Sequence, residues 1–457
     1  MKVLNLKELV KAINCTKIYD GQTEELFNSI STDTRKIKKG DLFFALKGEL
    51  FDAHNFLEEA VKSGAGALVV SEKMEKKYPV PVLLVKDTLK ALQDLASYNR
   101  KQFKIPIIGI TGSNGKTTTK DMVEAVLSQK FKTLKTQGNF NNEIGLPLTL
   151  LELDDSFEVA VIEMGMRGLG EIDLLSKITK PTATIITSIG ETHLEGLGSI
   201  ENIAMAKSEI LNHLSKDGVA FFNGEDQWVQ KVAEGFAGNK KFYGFNSSFN
   251  LWAENAKTLD NEGQVFTVHA GEEKEEIFIP LYGSHNVLNS LAAISVGYQM
   301  GLNLADIAGG LKNLKLSAMR LEIIETGKFK IINDAYNASP ASVKASLQIL
   351  KEVGQKKRTI AVLGDMYELG ERAKAGHQEV GAAVVREGIN KLIAVGNMAK
   401  YIVEGARNEG MSSKHLFCCE TKDEAREILE EIGRKDDVIL LKGSRGMKME
   451  EMIQGRY

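Results

Sequence analysis

The nine residues TGSNGKTTT, Thr111 to Thr119, follow the apolar run IPIIGI (105–110) and open a helix-patterned stretch that reaches Gln129. Strand, glycine-rich turn and helix, in that order, are the context a phosphate-binding loop needs. Gly112 and Gly115 let the backbone turn its N–H groups toward an anion, and the free N–H groups of the helix start add about half a positive charge. Lys116 brings a point charge to β- and γ-phosphates, and Thr117 offers a hydroxyl to Mg2+. The spacing departs from G-x-x-x-x-G-K-[ST], which would put its first glycine where Ile110 stands. A glycine-rich turn with an incidental lysine is the competing reading. Alone, the loop points to a nucleoside triphosphate and is silent on the reaction.

A chain of 457 residues divides into about three domains of roughly 150 residues each. Its 43% hydrophobic and 26% charged residues suit a soluble globular protein, and a net charge of −3 leaves no footprint for nucleic-acid binding. The opening MKVLNLKELVKAINC spaces apolar residues helically between lysines, unlike a signal peptide. No apolar run approaches the ~18 residues of a membrane span. Cys15 and the adjacent Cys418 and Cys419 are too few for a disulfide scaffold or zinc site, and read as reduced thiols of a cytoplasmic protein.

Changes of pattern set the boundaries. Residues 1–103 read as a small α/β domain with short strands such as A67-L-V-V70 and V82-L-L-V85. Residues 104–315 carry the phosphate loop, then apolar runs at 159–163, 183–187 and 219–222 separated by helical stretches. That alternation implies a mostly parallel sheet with helices on its faces, interrupted by a β-rich excursion from Asn246 to Pro280. It restarts over 316–457, with runs at 330–333, 359–363, 391–395 and 438–441. This second doubly wound unit is Rossmann-like but lacks the G-x-G-x-x-G of dinucleotide sites. The fold class is therefore α/β in three domains, with ligands expected at the carboxyl ends of the strands.

Chemistry-bearing residues collect at those ends. Glu163 closes a strand and is placed to hold Mg2+. His193, in S188-I-G-E-T-H-L-E195, follows another. Lys207 shares a helix with Ile203, Ala204, Ala206 and Ile210 and is expected to be partly buried, which is rare for a lysine unless paired or modified. GSHNVLNSLAA, from Gly283, places Asn286 and Asn289 one helical turn apart beside His285. The amides suit an adenine edge and the ring can stack on it, although capping is the simpler reading of Asn286. Arg320 lies near the second boundary, where it could swing toward a γ-phosphate. Asp334, Tyr336 and Asn337 (in NDAYNASP), Asp365 (in LGDMYELG), and Lys442 and Arg445 (in KGSR) follow strands of the last unit. Any one of these could be turn chemistry.

Together these segments, with GNFNNEIGLP over 138–147, resemble the Mur ligase family of ATP-dependent amide-forming enzymes of peptidoglycan synthesis. The likeness runs in order along essentially the whole chain, and the three last-domain segments resemble the branch that adds D-alanyl-D-alanine. The resemblance implies an amino-terminal domain for a UDP-sugar peptide, a central ATPase, and a carboxyl-terminal domain for the incoming dipeptide. It implies that Gly112, Ser113, Asn114, Gly115, Lys116, Thr117 and Thr118 cradle the phosphates of ATP. Thr117 and Glu163 would hold one Mg2+, with His193 and a carbamylated Lys207 serving a second. His285, Asn286 and Asn289 would meet adenine, while Arg320 and Asp334 approach phosphate and ribose. Ser31, Thr32 and Arg35 would meet the UDP group, with D33-T-R35 where D-S-R is frequent. F51-D-A-H-N-F56 likewise stands where D-G-H-x-F is usual. Asn139, Asn141, Asn142, Tyr336, Asn337, Asp365, Lys442 and Arg445 would serve the other substrates. Lys116, His193, Lys207 and Arg320 carry the expected catalytic roles.

The implied reaction converts a peptide carboxylate to an acyl phosphate, which the dipeptide amine attacks after domain closure has excluded water. The implied partners are small molecules: UDP-N-acetylmuramoyl-tripeptide, D-alanyl-D-alanine and ATP, bound by a cytoplasmic monomer. Two other readings stay open: a different amide ligase of the superfamily (adding diaminopimelate or lysine, or extending folate), and an ATPase whose loop drives a switch without ligation.

Overall fold

All five residues of Ile107–Thr111 are buried, as an unbroken apolar run requires of a parallel strand covered on both faces. The computed structural model describes residues 1–19, 26–259 and 262–453. Ile107–Thr111 lies inside a nine-stranded sheet, between Val159–Glu163 and Ala183–Ile186, parallel to both. The chain goes first to one side of it and later to the other. The strand order therefore switches beside the phosphate loop, where such sheets open a crevice at their carboxyl ends. On the far edge, Leu251–Leu259, Gly263–Ala270 and Glu273–Ile279 form the expected β excursion as an antiparallel meander.

Two smaller sheets flank this one. The amino-terminal sheet runs Lys17–Tyr19, Val82–Leu84, Ala67–Val70, Leu42–Phe44, Ile30–Ser31, with only its first pair antiparallel. The carboxyl-terminal sheet runs Glu322–Glu325, Phe329–Asn333, Asp437–Lys442, Thr359–Gly364, Lys391–Val395, Leu416–Cys419, again antiparallel only at its first pair. The fold is a three-domain α/β architecture. No helix among the described residues is long and apolar enough to cross a membrane.

Two helices fix the floor of the crevice. Lys116–Leu127 packs Met122, Val123 and Val126 against Val287, Leu291 and Ile294 of Ser284–Gln299. Burying such a side chain contributes roughly 1.5–3 kcal/mol, so the loop stands on a rigid base. Lys116–Leu127 also grips the linker to the last domain. Asp121 accepts the Ser317 N–H at 2.8 Å and pairs with Lys120 at 3.3 Å, and both side chains are 1% exposed. Just beyond Ser317, Met319 and Leu321 adopt left-handed conformations (φ 61° and 51°) on either side of Arg320, a strained geometry for non-glycine residues.

Candidate active site

The phosphate loop is shaped by what its glycines touch. Gly112 has φ 153°, and a Cβ there would lie 2.0 Å from Thr187 Oγ1. Gly115 has φ 82° and faces Asn289 Oδ1 in the same way at 2.5 Å. The loop is fastened to the segment after Ala183–Ile186. Ser113 N donates to Ser188 O (2.8 Å), Asn114 N to Ser188 Oγ (3.0 Å), and Thr187 Oγ1 to Asn114 O (2.6 Å). Lys116 Nζ donates to Gly112 O at 2.7 Å. Burial lowers its pKa, Glu163 opposes that shift, and Arg320 adds to it. Ile110, where the usual pattern has glycine, is a buried strand residue.

A cleft of about 710 Å3 opens here between the central and last domains. Ser113 to Thr118, Asn141, Asn142, Glu163, His193, His285, Asn286, Asn289, Arg320, Asp334, Tyr336, Asn337, Lys442 and Arg445 all line it. Asn141 Nδ2 donates to Glu163 Oε1 at 2.8 Å, while Oε2 is buried with no hydrogen-bond partner. A buried carboxylate oxygen left open, in the same cleft as the Thr117 hydroxyl, fits a hard cation. Lys207 is 1% exposed, and its pKa falls well below the ordinary lysine value through burial and then repulsion by Lys116.

Arg320 spans the domains: Nη2 donates to Thr117 Oγ1 at 2.9 Å and the guanidinium stacks 3.9 Å from the Tyr336 ring centroid. His193, with φ 59°, sets Nδ1 2.6 Å from Glu368 of the last domain. Helix Pro340–Gly354, capped by Ser339 with proline at its start, aims its amino terminus at the loop, and Ser339 Oγ reaches Asn114 Oδ1 at 3.4 Å. A second positive helix end therefore faces the phosphate cradle.

Several expected contacts are arranged differently. Asp365 is 2% exposed and accepts from Asn397 N and Met398 N, both at 3.0 Å, so it fastens the turn after Lys391–Val395 and does not line the cleft. Asn286 donates to Tyr282 O and accepts from Asn289, whose Oδ1 takes the Thr119 hydroxyl. These amides brace the helix and loop from the cleft wall. Asp334 already receives the Lys442 ammonium, Ser346 Oγ (2.7 Å) and Leu321 N (3.3 Å), so both its oxygens are engaged. Burial beside this pair lowers the His285 pKa to about 4, with Asp334 opposing and Lys442 assisting. Arg445 pairs with Glu450 at 2.6 Å. Asn139 is exposed on its turn and, like Lys207, is not among the cleft-lining residues. Ser31, Thr32 and Arg35 stay in the amino-terminal domain outside the cleft, where Arg35 pairs with Asp33. That pairing holds the Asp33 carboxyl down at about 2.

Sequence reasoning missed Thr187, Ser188, Ser339 and Glu368. A polar pair after a buried strand and a serine before Pro340 were the available signals for the first three. Glu368 lies in the LGDMYELG segment, where the reading fell on Asp365 instead.

Matches to family descriptions cover the chain in three parts: Mur ligase family, catalytic domain (26–100), Mur ligase middle domain (110–297), and Mur ligase, glutamate ligase domain (319–445). A relative from Bacillus subtilis (strain 168), UDP-N-acetylmuramoyl-tripeptide–D-alanyl-D-alanine ligase, is 42% identical over 99% of this chain and 97% of its own length. The chain belongs to the Mur ligase family. Among solved members, a MurF crystal structure from Acinetobacter baumannii matches with TM-score 0.90 and 32% identity, covering 99% of this chain and 98% of that one. The MurF ligase of Thermotoga maritima, solved in complex with ADP, matches with TM-score 0.82 and 28% identity, covering 93% and 96%.

Proposed function

We propose that the chain is an ATP-dependent ligase joining D-alanyl-D-alanine to UDP-N-acetylmuramoyl-tripeptide through an acyl phosphate. The observation that carries this reading is one cleft in which the phosphate loop faces the strand ends of the last domain, in a chain that follows the B. subtilis ligase along 99% of its length. Residues 1–103 take the UDP-sugar through Ser31, Thr32 and Arg35, residues 104–315 take ATP, and residues 316–457 take the dipeptide.

The peptide carboxylate attacks the γ-phosphorus and ADP leaves. The dipeptide amine then attacks the acyl carbonyl, phosphate leaves, and the amine proton passes to solvent. Catalysis rests on positioning and charge. Lys116 exchanges the Gly112 carbonyl for the β- and γ-phosphates. Arg320 releases the Thr117 hydroxyl and follows the transferred phosphoryl, while Tyr336 holds its plane. Glu163 and Thr117 would hold one Mg2+, with His193 and Lys207 at a second; when bound, these ions offset the charge on the phosphoryl oxygens. Burial and the nearby Lys116 shift Lys207 toward the neutral amine, the form that adds CO2 to give a carbamate ligand and a proton. Lys442, Asn337 and Arg445 lie where the dipeptide enters. The enzyme acts in the cytoplasm, in keeping with its three free cysteines, and is proposed to act as a monomer.

Supplying amines one at a time tests the assignment. Phosphate release should require both the UDP-sugar tripeptide and D-alanyl-D-alanine. Release without the UDP-sugar peptide would instead identify a switch ATPase, and preference for glutamate or diaminopimelate another branch.

A further inference from the structure

The last domain touches the loop that carries His193 at three places. Glu368 meets His193 Nδ1 at 2.6 Å, Arg372 Nη2 meets Glu191 Oε2 at 3.2 Å, and a Cβ on Gly370 would lie 3.3 Å from Glu195 Cα. Both partners of the first contact are left-handed non-glycine residues, His193 at φ 59° and Glu368 at φ 62°. Such conformations persist only where the surroundings hold them, and they cluster at switch regions and active sites. Glu368 is exposed, so the pair gains little stability from solvent-screened attraction. Its consequence is orientation: a carboxylate on one imidazole nitrogen fixes the ring and leaves the other nitrogen as the available ligand atom.

We infer that Glu368 is a positioning residue, delivered by the last domain, that aims His193 at the second cation only when the domains are closed. Closing the domains and completing the metal site are then one event, so phosphoryl transfer is not set up while the cleft is open to water. Arg372 with Glu191 forms the second point of the same latch. This rests on the reading of His193 as a metal ligand.

Mn2+ binding in the presence of a non-hydrolysable ATP analogue, followed by the spin resonance of free Mn2+, tests it in the full-length chain. Glu368→Gln should weaken one of the Mn2+ sites about 10- to 100-fold, the range for loss of an outer-shell partner. His193→Ala should weaken the same site, and adding Glu368→Gln to it should cost less than about twofold more, as expected of residues acting as a unit. Glu368→Asp should recover part of the loss, and thermal melting separates all of these from misfolding. If His193→Ala weakens the site and Glu368→Gln does not, or if the two losses multiply, the positioning role is wrong. If His193→Ala leaves Mn2+ binding intact, the ligand reading of His193 is what fails.

Discussion

Lys207, which does not line the cleft, and His285, which does, show how burial favours the neutral form of a basic group. A lysine 1% exposed beside another lysine cannot keep its charge cheaply, and a carbamate would turn it into an anionic ligand. Lys207→Ala should therefore lose ligation and regain part of it in short-chain carboxylic acids, whereas Lys207→Ala with full activity would remove the residue from the chemistry. Burial shifts His285 the same way, toward its neutral form. Its pKa is about 4 in the folded chain and near 6.5 when unfolded, so the unfolded chain binds the extra proton between those values. Stability present above pH 6.5 is lost as pH falls toward 4, by ~3 kcal/mol. His285→Gln should flatten that loss in urea unfolding at pH 7 and pH 4.5; an unchanged difference between the two would contradict it. Sequence marked Lys207 as an unusual, partly buried lysine and His285 only as a ring able to stack on adenine. It could not see that Asp334 and Lys442 neutralise each other beside His285, because their meeting depends on two strands adjacent in space and far apart in sequence.

Among the elements, Lys116–Leu127 does most to organise the site, holding the phosphate cradle at its start and the interdomain linker one turn later. Asp121→Ala strips the partner from a lysine that is itself 1% exposed and frees the Ser317 N–H. The expected cost is about 3–5 kcal/mol in denaturant unfolding, as for breaking a buried pair; a loss below about 1 kcal/mol would show that Thr136 O (3.0 Å) and Ser317 Oγ (3.5 Å) satisfy Lys120 without it. The buried strands were legible because parallel strands covered on both faces read as unbroken apolar runs. Three strands that escaped notice lie at sheet edges. Leu416–Cys419 exposes Cys418 and buries Cys419, Thr133–Lys135 buries only Leu134, and Glu322–Glu325 has charged ends. Half-covered edge strands mix polar and apolar residues, and three or four residues are too few for a period to emerge.

At the scale of the whole molecule, the cleft belongs to neither domain. Arg320 on Thr117, Ser339 on Asn114, Glu368 on His193 and Arg372 on Glu191 each join central and last domains. The motifs on both sides could be read from sequence, but which residue faces which could not, since pairing across a closing cleft leaves no local pattern. Asp365 shows the cost of reading motifs alone: it sits in a segment resembling a substrate signature, yet both its oxygens hold a turn. In the proposed mechanism this cleft joins a carboxylate to the γ-phosphoryl of ATP before any amine attacks. UDP-N-acetylmuramoyl-tripeptide labelled with 18O in its terminal carboxylate reports on that step. During ligation to D-alanyl-D-alanine, an acyl phosphate must pass one labelled oxygen from the peptide to the released phosphate. Phosphate carrying a single 18O is the expected result, and unlabelled phosphate formed alongside the ligated product would contradict it.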